Sequence, residues 1–145
     1  MVKIKVKKLD ESAKLPTQAN EGDAGWDIVS TERHTVLPFQ TVKVKTGLAV
    51  EIPMGYEIQI RGKSGIALKQ GLSIPQGIGT IDSGYRGELF VLLRNFDPWT
   101  KIVEKGQMVG QMVVQEVLSP EFEEVEELSE SERGGKGFGS TEENI

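Results

Sequence analysis

The chain has 145 residues, 37% of them hydrophobic and 27% charged, which suits one soluble domain and is too short for two full cores. It contains no cysteine and one histidine, His34, so disulfides, thiolate metal sites, a cysteine nucleophile and a histidine-built zinc site are excluded. The net charge of −5 is uneven: residues 1–118 hold 15 basic and 13 acidic residues, whereas residues 119–132 hold seven glutamates and no basic residue. A nearly neutral body does not favour a nucleic-acid polymer, which needs a basic face. It leaves room for a small anionic ligand held by a few placed donors. No run approaches 18 apolar residues, so no membrane span is expected. The opening MVKIKVKKLDE is charged too regularly for the apolar region of a signal peptide, and a reducing, cytoplasmic setting is the expectation.

In chain order the dominant period is two. Val2, Ile4 and Val6 alternate with lysines; Val42 and Val44 alternate with Lys43 and Lys45, and Leu48, Val50 and Ile52 keep the spacing. Tyr56, Ile58 and Ile60 alternate with polar residues, Leu89, Val91 and Leu93 follow, and then the stretch 108–118. Such alternation marks strands with one buried face. PMG at 53–55, PQG at 75–77 and DSG at 82–84 punctuate them as turns. Many short strands between turns predict an all-β sandwich or barrel-like jelly roll. SGIALKQG at 64–71 reads differently: one or two helical turns, with Ser64 as cap and Gly71 as stop. Near the end, Phe122, Val125 and Leu128 are spaced at three, and a docked helical turn and a strand are both open. From Ser129 onward apolar residues nearly vanish. Arg133, Phe138, Ser140 and Thr141 nevertheless sit among glycines, a mixture suited to a mobile arm that orders over a bound ligand.

Six places carry candidate chemistry. AGWDIVS at 24–30 holds Asp27, which could orient a magnesium shell or tie down a loop. His34 has no partner at metal spacing and reads as a surface-loop residue. RGKSGIA at 61–67 offers Arg61, Lys63, the Ser64 hydroxyl and backbone donors, groups suited to phosphate oxygens; the alternative is a helix cap with two solvated cations. GTIDSGYRGEL at 79–89 places Asp82, Tyr85 and Arg86 at the tip of an expected hairpin; the alternative is an ordinary surface turn with an ion pair. KGQMVGQMVV at 105–114 is a turn and a strand, where Gln111 is either a ligand group or an amide bonded to backbone. RGGKGFGST at 133–141 lacks the lysine directly before Ser-Thr that a nucleotide-binding loop of ATPases requires. Phe138 there suits stacking on a base better than a plain linker does.

The order and spacing of these segments carry more than any one of them. AGWDIVS, RGKSGIA, GTIDSGYRGEL, KGQMVGQMV and RGGKGFGST resemble the five motifs of the homotrimeric dUTPase (deoxyuridine 5'-triphosphate nucleotidohydrolase) family, from residue 24 to residue 141. The resemblance implies a distorted jelly-roll β-barrel of the dUTPase-like β-clip kind, with one short helix. It implies a body over 1–128 and a flexible C-terminal arm over 129–145. It implies hydrolysis of dUTP to dUMP and pyrophosphate, with Asp82 activating the water that attacks the α-phosphorus. Tyr85 would pack on the deoxyribose and exclude a 2′-hydroxyl, while backbone around Gly79 and Ile81 reads uracil. Arg61, Lys63, Ser64, Gly65 and Gln111 would hold the phosphates. Arg133, Gly139, Ser140 and Thr141 would close on them from the arm, with Phe138 over the base. Mg2+ would be held mainly by substrate oxygens, with Asp27 supporting it through water. The partners implied are dUTP and two further copies of the chain in a homotrimer with shared sites, with no nucleic-acid polymer and no membrane.

Two departures stand out. The family usually has arginine where this chain has Lys63, which keeps the charge and loses the two-pronged geometry. Its fourth motif usually runs Gly, acid, Arg, aliphatic, Ala, Gln; here it is Gly106, Gln107, Met108, Val109, Gly110, Gln111. Two rival readings are a dCTP deaminase, alone or combined with dUTP hydrolysis, and a noncatalytic β-domain that binds other proteins.

Overall fold

In the computed structural model, which describes residues 1–140, the alternating segments become antiparallel strands. They are β1 (Lys5–Lys8), β2 (Trp26–Val29), β3 (His34–Val36), β4 (Thr41–Glu51), β5 (Tyr56–Arg61), β6 (Leu72–Ser73), β7 (Gly79–Ile81), β8 (Glu88–Asn95), β9 (Lys101–Val103) and β10 (Met108–Glu116). One sheet has the order β1-β4-β8-β6, a second the order β2-β10-β5-β7, and β3 pairs with β9. Val44, Leu48, Leu89, Val91 and Leu93 of the first sheet meet Ile28, Ile58, Ile60, Val109 and Met112 of the second in one core. The result is a jelly-roll-like β fold. Each fully buried Val, Leu or Ile contributes about 1.5–3 kcal/mol, so this shared core is what holds the sheets together. Among the described residues no helix is long and apolar enough to cross a membrane.

Strict alternation holds in β8, where Leu89, Val91, Leu93 and Asn95 are buried and their neighbours are not. The inward polar residue, Asn95, is satisfied: its amide donates to the carbonyls of Val36 (3.1 Å) and Trp99 (2.7 Å), and its oxygen accepts from the Asp97 N–H (3.0 Å). Alternation fails in β4, which is buried continuously from Thr46 to Val50. The register with β8 shifts between Lys45 and Ala49, and the segment around Ala13 and Thr31 covers the outer face. β1 crosses to β4, where Lys5 pairs with Glu51 at 2.5 Å and Arg86 approaches the same carboxylate at 3.8 Å. The hydrogen bond and charge of Lys5, helped by Arg86, hold the Glu51 carboxyl below its ordinary range. This tie is complete above the ordinary carboxylate pKa and is lost as pH falls through the lowered value.

Gly47 turns β4 with φ +66, and an added Cβ would lie 2.9 Å from Ala13 Cβ and 3.0 Å from Thr31 Cγ2. Gly55 also has positive φ, +92, but opens onto empty space. Gly47→Ala therefore combines strain with overpacking and is expected to cost about 2–4 kcal/mol, against about 1 kcal/mol for Gly55→Ala. Urea unfolding of the two variants checks the difference.

The 64–70 segment is the one helix among the described residues, α1 (Ser64–Gln70), stopped by Gly71 in the left-handed conformation (φ 63). Its cap is Lys63 and not Ser64, and no side chain bonds the helix start; Ser64 is instead the first helical residue, leaving its hydroxyl uncommitted. His34 also departs from expectation. It lies in β3 opposite Val103 and is mostly buried, with Nε2 3.5 Å from Glu32. Flanking polar residues hid a short strand. After Glu116 the chain carries no strand or helix as far as Glu132, and Phe122 and Leu128 stand 91% and 87% exposed. Neither a docked turn nor a strand forms there, and these side chains pack on nothing within their own chain.

Candidate active site

β10 is the central strand that organises the first group of candidate residues. A register shift between Met108 and Gly110 sets Gln111 opposite Asp27 of β2 on one side and Arg61 of β5 on the other. Residues directly opposite share a sheet face, so three motifs far apart in sequence meet in one row. Asp27 is buried and forms an ion pair with Lys63. Gln111 donates from Nε2 to the Gly62 carbonyl at 2.9 Å, which fixes the loop carrying Lys63 and Ser64. Gly25 makes this possible: a Cβ there would fall 2.0 Å from Gln111 Oε1 and displace the carboxamide. Arg61 bonds Gln59 Oε1 through Nε (3.2 Å) and a terminal nitrogen (2.7 Å), and among the described residues no carboxylate pairs with it. Asp23, Asp27, Lys63 and Gln111 line a cavity of about 300 Å³. Gly65 faces open space.

The second group surrounds Asp82. The expected hairpin is not one: β7 pairs with β5, and β8 pairs with β4 and β6. Residues 82–87 therefore carry the chain from one sheet to the other. The DSG signal does make a turn, with the Tyr85 N–H donating to the Asp82 carbonyl at 3.1 Å. Its partner strand is simply elsewhere. Tyr85 donates its hydroxyl to the Glu88 carbonyl (2.8 Å). The ring crosses Gly87, where a Cβ would meet the phenol oxygen at 2.5 Å. This holds the ring in place while leaving it 42% exposed. Arg86 turns away onto the carbonyls of Ser83 (2.6 Å) and Tyr85 (3.1 Å), bracing the turn. Gly79, Ile81, Asp82 and Tyr85 line one cavity of about 340 Å³ together with Gln76 and Lys43.

Gln76 and Lys43 are the residues that sequence reading missed. Gln76 Nε2 approaches Gly79, 3.6 Å from where a Cβ would stand. Lys43 rests its ammonium on the Phe90 ring, 3.9 Å from its centre. The PQG turn signal pointed to Gln76 only as a loop residue, and Lys43 looked like the polar half of an alternation.

The third group is the arm. Hydrogen bonds from Arg133 Nε to the Lys136 carbonyl (3.0 Å) and from the Ser140 N–H to the Gly137 carbonyl (3.1 Å) fold it into successive turns. Arg133, Phe138, Gly139 and Ser140 line a cavity made by the arm's own residues. Phe138 is fully exposed with φ 53, and Gly139 has φ 83. Thr141 lies outside the described residues. One chain thus brings Asp27, Arg61, Lys63 and Gln111 together, with Ser64 and Gly65 beside them. It brings Gly79, Ile81, Asp82 and Tyr85 together elsewhere, and leaves the arm's residues to themselves.

Comparison with known proteins meets this geometry. The dUTPase family model matches residues 11–142. The deoxyuridine 5'-triphosphate nucleotidohydrolase of Zymomonas mobilis is 45% identical over 97% of this chain and 97% of its own length. That of a Hydrogenobaculum species is 47% identical over 97% and 98%. A solved dUTPase mutant of Staphylococcus bacteriophage 80alpha, with dUpNHpp, superposes with a TM-score of 0.86 at 32% identity, covering 96% of this chain and 98% of that one. A mutant dUTPase of phage phi11 of S. aureus, described for the coordination of a structural Mg(II) ion, gives a TM-score of 0.81 at 28% identity, covering 88% and 99%. Motifs, fold and relatives agree, and the chain belongs to the dUTPase family.

Proposed function

We propose that this chain hydrolyses dUTP to dUMP and pyrophosphate in sites shared between the three subunits of a homotrimer. The observation that carries the reaction is Asp82 beside Tyr85 in one cavity of a dUTPase-family chain. The Asp82 carboxylate accepts a proton from a water whose oxygen bonds to the α-phosphorus. The bond from that phosphorus to the bridging oxygen breaks, and pyrophosphate leaves with the electron pair. Tyr85, its hydroxyl spent on Glu88, offers a ring face to the deoxyribose and leaves no room for a 2′-hydroxyl. β7 (Gly79–Ile81) is an edge strand, bonded only to β5, so the backbone groups on its outer side are free to read the edge of uracil.

Lys63, Ser64, Gly65, Gln111 and Arg61 take the phosphate chain. From the arm, Arg133 and Ser140, with Thr141, grip the outer phosphates, and Phe138 with Gly139 covers the base. In this reading residues 1–128 are the body and 129–145 the closing arm. Separate cavities for the three groups on one chain support sites completed by neighbours, and exposed Phe122 and Leu128 support an arm that packs on another subunit. Magnesium fits as an ion that arrives with the triphosphate. Among the described residues no three of His, Cys, Asp and Glu converge; Asp27, which lines one cavity with Lys63 and Gln111, would support the ion through water. Bound there, Mg2+ supplies charge neutralisation on the leaving pyrophosphate. The setting we infer is the cytoplasm.

Pyrophosphate release, measured in parallel with dUTP, UTP, dTTP and dCTP, tests the reading. A preference for dUTP of at least about a hundredfold in kcat/KM is expected from close contact at the sugar and base. Ammonia release from dCTP would support the deaminase instead, and no turnover of any nucleotide would support a noncatalytic domain.

A further inference from the structure

The altered fourth motif builds a contact that links it to α1. The β9–β10 connection runs from Glu104 to Gln107, and the Gln107 carboxamide sits in the middle of a polar chain. Gln70 Nε2 donates to the Ile102 carbonyl (3.2 Å), Gln107 Nε2 donates to Gln70 Oε1 (2.6 Å), and the Glu104 N–H donates to Gln107 Oε1 (3.0 Å). A backbone carbonyl at one end and a backbone N–H at the other fix the direction of both amides. Only a group that donates and accepts at once can fill the place of Gln107. The acid usual in the family at this position has no proton to give to Gln70 Oε1. Met108, standing where the family usually has arginine, supplies no cation that would hold an acid there.

α1 depends on this chain because its apolar anchoring is slight. Ile66 is its one buried residue. Lys63, Ile66 and Gln70 are spaced at three and four, and so share the docking face of the helix. Lys63 ties the start to Asp27, Ile66 packs in the middle, and Gln70 ties the end to Gln107. Between helix and strand a cavity of about 350 Å³ remains, lined by Lys63, Ile66, Gln70, Gln107 and Met108 among others. With Ile66 as its one apolar anchor, α1 relies on the polar ties to set its rotation about its axis. The Gly71 carbonyl, which accepts from the Phe96 N–H at 3.0 Å, restrains the position of the helix end rather than that rotation. β10 and the residue that leads into it thus hold both ends of one unit: Gln107 fixes the end of α1, and four residues later Gln111 fixes the Gly62 carbonyl just before its start.

We propose that Gln107 is a positioning residue for the phosphate half of the site. Through Gln70 it sets α1 so that Lys63 and Ser64 meet the triphosphate. The proposal rests on the reading of Lys63 and Ser64 as phosphate contacts. Asp82 lies on the connection between the sheets, outside the clamp, so loss of the clamp weakens substrate capture more than the chemical step.

The test is steady-state kinetics with dUTP on full-length Gln107→Glu, Gln107→Met, Gln70→Lys/Gln107→Glu and Ser64→Ala, with thermal midpoints recorded for each. Gln107→Glu and Gln107→Met are expected to raise KM about tenfold, the effect of one neutral hydrogen bond at the upper end of its range. kcat should stay within about threefold and the midpoint within a few degrees. In the double variant the ammonium can donate to both the new carboxylate and the Ile102 carbonyl, and KM should return to within about threefold of the parent. Unchanged KM in both single variants, a fall in kcat as large as the rise in KM, or no recovery in the double variant overturns the proposal. Ser64→Ala separates the two levels. If it raises KM while the Gln107 variants do not, only the clamp is wrong. If it leaves KM unchanged, the phosphate-contact reading fails and the clamp's role falls with it.

Discussion

Replacement of Asp82 by Asn is expected to lower kcat for dUTP by about 10²–10⁴-fold, the range for removal of a general base. Binding of a non-hydrolysable dUTP analogue should stay within a few-fold. Asn keeps the shape and one acceptor oxygen but cannot take a proton from water at neutral pH. The side chain sits on a turn set by the Tyr85 N–H to Asp82 carbonyl bond and braced by Arg86 on Ser83, so the backbone is not expected to move. Comparable turnover in Asp82→Asn, measured by pyrophosphate release, would remove Asp82 from the role of base. Loss of analogue binding in step with turnover would make it a binding residue.

The second large effect is expected from the arm. A chain ending at Glu132 should keep its fold, since the core residues from Ala13 to Met112 all precede the cut. Its kcat/KM for dUTP should fall by about 10²–10³-fold. Loss of charge-assisted phosphate contacts at about 1.5–3 kcal/mol each, with a stacking contact at about 1–3 kcal/mol, supplies at least that much. Full activity in the shortened chain would mean that Arg133, Phe138 and Ser140 have no part in the reaction. Unfolding of the shortened chain, read by circular dichroism and urea titration, would assign them to stability instead.

How far these conclusions were legible in the sequence depends on the distance over which each interaction acts. β5 and β8 were readable because burial on one face of a strand imposes a period of two. α1 was readable from its stop at Gly71. The Asp82 turn was readable and its hairpin was not, because a turn signal is local whereas strand pairing is decided by the whole sheet. β7 found a better partner in β5 than in the strand that follows it. The buried run in β4 escaped for a similar reason: its cover comes from residues near Ala13 and Thr31. The ion pair of Asp27 with Lys63 spans 36 positions and the clamp of Gln70 with Gln107 spans 37, and neither leaves a mark on local pattern. Gln76 and Lys43 were passed over because a pocket wall looks like any loop or strand until the fold assembles it. Residue types and motif order identified the candidate site, but which of those residues share one cavity followed only from strand pairing: β10 between β2 and β5 for Asp27, Lys63 and Gln111, and β7 on β5 for Gly79, Ile81, Asp82 and Tyr85.

The central claim is that a working site takes its parts from different chains, and subunit complementation tests it most directly. Asp82→Asn chains retain the arm, and chains ending at Glu132 retain Asp82. Each alone is expected to be nearly inactive. Mixed in equal amounts, unfolded together and refolded, they assemble sites in which one chain donates Asp82 and another the arm. Random assembly of a closed trimer puts an intact Asp82 and an intact arm in about one site in four, so about a quarter of the parent activity should return. A refolded mixture no more active than its two components, despite mixed trimers being present, would contradict the account and put the whole site within a single chain.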